Sequence, residues 1–147
     1  MLLQKESNPG LNTITAYGAG YVEINGQPYH HSLRFGPEGP VEAWPVQDAS
    51  QLTLAALREI AGIAEVAADP MAFLDDAPPV ATTDTEIVLI GTGSRQSLLP
   101  QSITAPLLRL GIGVEAMSTP AAARTYNILM SEGRRVVVAL IPPQDAE

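Results

Sequence analysis

The sequence contains no cysteine, which excludes disulfides, thiolate nucleophiles, iron–sulfur ligation and zinc–thiolate sites together. Histidine is scarce: the chain has only His30 and His31. Adjacent residues of a strand point to opposite faces, so without a bulge these two cannot ligate one metal. With Glu23 they offer at most a weak surface site, and a metal cofactor is not expected. Long apolar runs are absent as well. The longest, residues 87–90 and 136–141, fall far short of the roughly 20 residues that a membrane-spanning helix requires. The first six residues, Met1-Leu2-Leu3-Gln4-Lys5-Glu6, carry too short an apolar stretch for a secretory signal and lack the arginines of a transit peptide. The expectation is a cytoplasmic protein that is not integral to a membrane.

Positive charge is in short supply. Eight basic residues stand against 16 acidic ones, for a formal net charge of −8. That balance argues against sequence-independent binding to nucleic acid or to anionic lipid, which rests on cationic patches. The shortage is uneven, because Arg95, Arg109, Arg124, Arg134 and Arg135 all lie after residue 90. An anionic partner would meet the C-terminal half.

What the chain has is a core. Its apolar fraction of 46% over 147 residues suits one domain that buries about two-thirds of its unfolded surface. Residues 12–35 read as strands. Asn25-Gly26 predicts a two-residue hairpin, since that turn needs positive φ at both positions. Ile24 should then oppose Gln27, Val22 oppose Tyr29 and Tyr21 oppose His30. Alternation carried to residue 35 places Val22, Ile24, Tyr29, Leu33 and Phe35 on the core face. Tyr21, Glu23, His30, Ser32 and Arg34 fall on the polar face.

A short strand over 41–44 and a helix capped by Thr53 and stopped by Gly62 should follow. Residues 63–85, rich in Ala, Asp and Pro, read as a long connection; residues 1–10 and 142–147 read as loose tails. From residue 86 the pattern becomes strand (86–90), helix (to 110), strand (113–117), helix (from Ser118-Thr119-Pro120 to Gly133) and strand (135–141). The first of these helices starts at Pro100 or, if Pro106 belongs to its first turn, at Thr104. Strands joined this way pair in parallel through right-handed crossovers. The expected architecture is a single α/β domain. Its mixed sheet combines an N-terminal β-hairpin with a C-terminal parallel β-α-β-α-β unit, and helices flank the sheet.

The run from Gly111 through Glu115, Met117 and Thr119 into Ala122-Ala123-Arg124-Thr125-Tyr126-Asn127, with Gly91-Thr92-Gly93 upstream, resembles a small α/β domain family of unknown function. That family includes mitochondrial respiratory complex I assembly factor three and an adipogenesis-associated human protein. The resemblance covers roughly residues 12–141. It implies a mixed sheet with flanking helices and no established reaction. It also implies a protein partner such as a subunit of a membrane complex. Position 123 is Ala where many members of that family carry Cys, so a thiol role does not transfer.

Other groupings are weaker. Gly91-Thr92-Gly93-Ser94 leaves a strand as phosphate loops do, but the dinucleotide pattern lacks its third glycine at Gln96 and the next helix starts too late. No nucleophile elbow surrounds Ser94 or Ser97. The pair Asp75-Asp76 and the acids at 84–86 read as solvated. On the helix after Thr119, Pro120, Arg124, Asn127 and Ser131 form a polar stripe opposite Ala122, Tyr126, Leu129 and Met130. Its alanine-rich first turn should leave backbone N–H groups open to an anion, with Arg124 as a clamp. Thr92, Ser94, Ser118, Arg124 and Asn127 are therefore the candidate site. The chain reads as a non-catalytic binding or assembly module. The alternative is an enzyme, or a small-anion or nucleotide-binding protein, using the crevice around Arg124.

Overall fold

The computed structural model describes residues 10–63 and 83–144. Strands β1 (Ile14–Gly18), β2 (Tyr21–Ile24) and β3 (Gln27–Tyr29) form an antiparallel three-stranded sheet in that order. The β2–β3 hairpin turns at Asn25 (φ 54°) and Gly26 (φ 81°), with Ile24 opposite Gln27 and Val22 opposite Tyr29. The expected turn is present, in the expected register.

The long strand expected to continue to residue 35 is not. After Tyr29 the chain leaves this sheet and resumes as β4 (Leu33–Phe35) in a second one. Alternation holds only within one continuous strand, so its parity is lost across the break. Ser32, assigned to the polar face, is buried, and its carbonyl accepts the Trp44 N–H at 2.9 Å. His30 and His31 lie in the exposed link, and no group of metal-ligating side chains forms among the described residues.

The second sheet has five strands in the order β5-β4-β8-β6-β7, where β5 is Glu42–Ala43, β6 Ile87–Gly91, β7 Gly113–Met117 and β8 Val136–Leu140. Strand β6 runs parallel to both β7 and β8, while β4 pairs antiparallel with β8. The sheet is thus mixed, as expected, but the hairpin sits in a sheet of its own. Both faces of the mixed sheet are covered, which is why β6 and β8 read as continuous apolar runs. Val88, Ile90 and Ala139 pack with Leu57, Ile60 and Leu107. Leu89, Val138 and Leu140 pack with Tyr126, Met130 and the inner face of the first sheet.

Helix α1 (Leu54–Ala61) is capped by Thr53, whose hydroxyl accepts the Ala56 N–H, and it ends at Gly62 with φ 75°. Helix α2 (Gln101–Arg109) starts directly after Pro100, with Pro106 inside it and not in its first turn. Having no N–H, Pro106 leaves the Ser102 carbonyl without its intrahelical donor. Helix α3 (Thr119–Ser131) has Ser118 as its cap and Pro120 at the second helical position. Gly133, with φ 78°, carries the chain away from it.

The C-terminal tail is not loose where it is described. Pro142 and Pro143 are buried, the Pro143 carbonyl accepts the Gly20 N–H, and the Gln144 N–H donates to Ser94 Oγ. Two prolines restrict the backbone here, so little entropy opposes these contacts. Most of the expected connection over 63–85, including Asp75-Asp76, lies outside the described residues.

Candidate functional site

Parallel strands bring three carboxyl ends to one edge of the mixed sheet, where Gly91 aligns with both Met117 and Leu140. The loop 92–100 and the start of α3 meet there. Ligands of open α/β sheets commonly collect at such an edge. Here the chain closes the edge on itself. The Thr92 N–H donates to Met117 O at 2.8 Å, the Ile141 N–H to Gly91 O at 2.9 Å and the Thr119 N–H to Gly93 O at 2.7 Å.

Thr119 is the centre of this seam. It is fully buried; its hydroxyl donates to Ile141 O at 2.5 Å and accepts the Gly93 N–H at 2.9 Å. A side chain at position 91 would have no room, since a Cβ there would lie 2.7 Å from Leu140 Cδ2 and 2.9 Å from Thr119 Oγ1. Gly91 is glycine because helix and strand approach this closely. Thr119 was absent from the candidate residues because Ser118-Thr119-Pro120 reads as a cap followed by proline at the first helical position, and a cap is ordinarily a surface group.

Each expected site residue has a defined place. Thr92 Oγ1 lies 2.6 Å from Arg95 O and 3.1 Å from Met117 O, and it accepts the Ser97 N–H at 3.1 Å. Ser94 Oγ accepts the Gln144 N–H at 2.9 Å. Ser118 Oγ caps Ala121 N at 3.4 Å. These three do gather at the strand edge.

The N–H groups expected to be open at the start of α3 are occupied. Thr119 N–H is taken by Gly93, Ala121 N–H by the Ser118 hydroxyl and Ala122 N–H by the Ser118 carbonyl; Pro120 has none. The cap and the preceding loop have satisfied the orphan donors that a helix start normally offers.

Arg124 and Asn127 point elsewhere, toward β1. Arg124 is exposed, and its Nη1 donates to the hydroxyl of buried Tyr17 at 3.0 Å. Among the described residues no carboxylate lies within ion-pair distance of it. Asn127, expected on a solvated stripe, is only 7% exposed. Its Nδ2 donates to Ile14 O at 2.8 Å and its Oδ1 accepts the Ile14 N–H at 3.0 Å. Its amide is spent on the fold. Tyr126 is also buried; its hydroxyl donates to Asn12 O at 2.8 Å and its ring meets Phe35 edge-on. Burial in this apolar setting pushes the phenol well above its ordinary pKa. Leu129, on the side of the helix opposite the polar stripe, is half-buried on the flank of the same cluster.

A family described as "Protein of unknown function (DUF498/DUF598)" matches residues 14–141. The chain belongs to this family. It is 33% identical to an uncharacterized protein of Rhodobacter capsulatus over 133 residues, 90% of this chain and 86% of that one. Human NADH dehydrogenase [ubiquinone] 1 alpha subcomplex assembly factor 3 is 45% identical over 58 residues, which span 40% of this chain and 32% of the human protein. The solution structure of a Bordetella pertussis protein described as a Mth938-like domain superposes with a TM-score of 0.73 at 51% identity, covering 99% of this chain and 95% of that one. The chain and this Bordetella protein therefore share one single-domain α/β fold. Among the described residues, no helix is long and apolar enough to cross a membrane.

Proposed function

We propose that the protein is a non-catalytic binding module that acts in the cytoplasm during assembly of a membrane-bound multisubunit complex, with a subunit of that complex as its partner. The observation that carries this reading is the self-closure of the strand edge. The hydroxyls of Thr92, Ser118 and Thr119 and the N–H groups at the start of α3 are committed to the protein's own backbone. A reaction centre needs polar groups aimed at a substrate; here those groups hold loops together. Partial kinship with an assembly factor supports the same reading by analogy. The test is affinity purification from membranes of the native host after mild crosslinking. Stoichiometric subunits of one membrane complex are expected; a bound metabolite and no protein partner would overturn the reading.

A second reading is favoured by one observation, the exposed Arg124 guanidinium beside the Tyr17 hydroxyl with no carboxylate paired to it among the described residues. A phosphate or carboxylate could accept from the remaining Arg124 donors, with Ser94 and Ser118 at the neighbouring edge. Phosphate titration monitored by amide NMR checks it. Shifts in 91–94 and 118–124 that vanish in Arg124→Ala are expected; no shift at millimolar phosphate discards the anion site.

A further inference from the structure

Each sheet has two edge strands, and among the described residues three of the four edges are blunted. At β1, the Asn127 amide occupies both backbone groups of Ile14. At β3, Pro28 lies opposite Glu23, the non-hydrogen-bonded position of this hairpin, so its nitrogen, which carries no hydrogen, faces outward. Strand β5 is two residues long. Such devices keep edges from pairing with other chains.

Strand β7 differs. It is five residues long and parallel to β6. Gly113 N–H donates to Glu86 O and Met117 O accepts the Thr92 N–H, so residues 113, 115 and 117 turn their backbone groups inward. Val114 and Ala116 must turn theirs outward. Of those outward groups, the Ala116 carbonyl is covered only by a side chain, accepting from Nε2 of exposed Gln96 at 3.0 Å. Glu115, between them, is exposed, and among the described residues it has no ion pair.

We propose, building on the protein-binding reading above, that the outer edge of β7 receives an extended segment of the partner as an added antiparallel strand, with a Lys or Arg opposite Glu115. Pairing through Val114 and Ala116 leaves position 115 as the non-hydrogen-bonded site, where facing side chains approach most closely and charge matters most. The acid thereby selects a basic strand. A second copy paired with Glu115 facing Glu115 would set like charges against each other on a chain of net charge −8. Gln96 acts as a removable cover, protecting the Ala116 carbonyl until a strand replaces it.

The probe is an acetylated, amidated Thr-Val-Lys-Val-Thr peptide, compared with the same peptide carrying Glu in place of Lys, titrated into the full chain by amide NMR. The Lys peptide should shift and protect the Val114 and Ala116 amides, binding about three- to tenfold tighter than the Glu peptide. Glu115→Lys should reverse that preference, and Gln96→Ala should strengthen binding of the Lys peptide to the native acid. Unshifted Val114 and Ala116 amides at millimolar peptide, or a preference unchanged in Glu115→Lys, would overturn the proposal. The host-membrane purification separates this failure from that of the broader reading. Partners captured equally by wild type and Glu115→Lys would leave a binding module whose interface lies elsewhere; partners lost from Glu115→Lys alone would support the edge.

Discussion

Asn127 and Ile14, 113 residues apart, exchange two hydrogen bonds in which the side-chain amide stands in for a neighbouring strand. This contact joins α3 to the first sheet. Asn127→Ala would leave a buried N–H and C=O unpaired, and the expected cost is about 2–4 kcal/mol. Arg124→Ala, which loses one hydrogen bond at an exposed site, should cost less than about 1 kcal/mol. Urea melts of both variants check the contrast; equal losses would make Arg124 as structural as Asn127.

Tyr126 gives the fold an alkaline limit. Its phenol is buried and its pKa is raised, so the native state holds the proton more tightly than the unfolded chain does. The associated stability is complete below the unfolded value of about 10 and falls as pH rises toward the raised native value, by at most about 1.4 kcal/mol per pH unit. Tyr126→Phe should lose about 1 kcal/mol at pH 8 with the Asn12 hydrogen bond. It should also flatten the decline between pH 10 and 11. Paired urea melts at pH 8, 10 and 11 read both effects, and a decline equally steep in Tyr126→Phe would locate the titration in another group.

The seam at the strand edge can be tested by adding or removing very few atoms. Gly91→Ala places a methyl against Leu140 and Thr119, and overpacking of this kind costs about 1–3 kcal/mol. Thr119→Val keeps the shape but removes the hydroxyl that serves Gly93 and Ile141, costing about 1–3 kcal/mol for the buried groups left unpaired. The two positions touch, so their effects should not add. Thermal melts of the single and double variants would show the coupling; strict additivity would mean that the two residues act independently.

The legible parts of the fold were those written in local chemistry. Asn25-Gly26 specified its turn because few other pairs tolerate positive φ twice in succession. Thr53 and Gly133 marked helix ends because caps act within one turn, whereas the cap of α3 is Ser118, one residue earlier than a proline at the first helical position implies. The apolar runs in β6 and β8 announced a sheet covered on both faces. What stayed hidden depends on partners far away in sequence. The strand through Ser32 breaks where its carbonyl meets the Trp44 N–H, a partner outside the hairpin. Asn127 looked like a surface ligand because only its contact with Ile14 reveals it as a clamp. The α3 N–H groups looked open because the donors in Ala121 and Ala122 are visible in the sequence while the acceptor geometry of Ser118 is not. At the candidate site the hydroxyls of Thr92 and Ser118 and the amide of Asn127 bond to the protein's own backbone, and Arg124 to the Tyr17 hydroxyl.

The strand order of the mixed sheet has a consequence for synthesis. β8, the last of the described strands to be made, lies between β4 and β6. Until Val136–Leu140 leaves the ribosome, β4 and β6 have no common neighbour, and the apolar flanks of both lack a lining strand. Long-range pairing of this kind is reached only after the intervening chain has been gathered in. A nascent chain that has not yet released Val136–Leu140 therefore has no strand to join β4 to β6, and closure of the mixed sheet waits on β8.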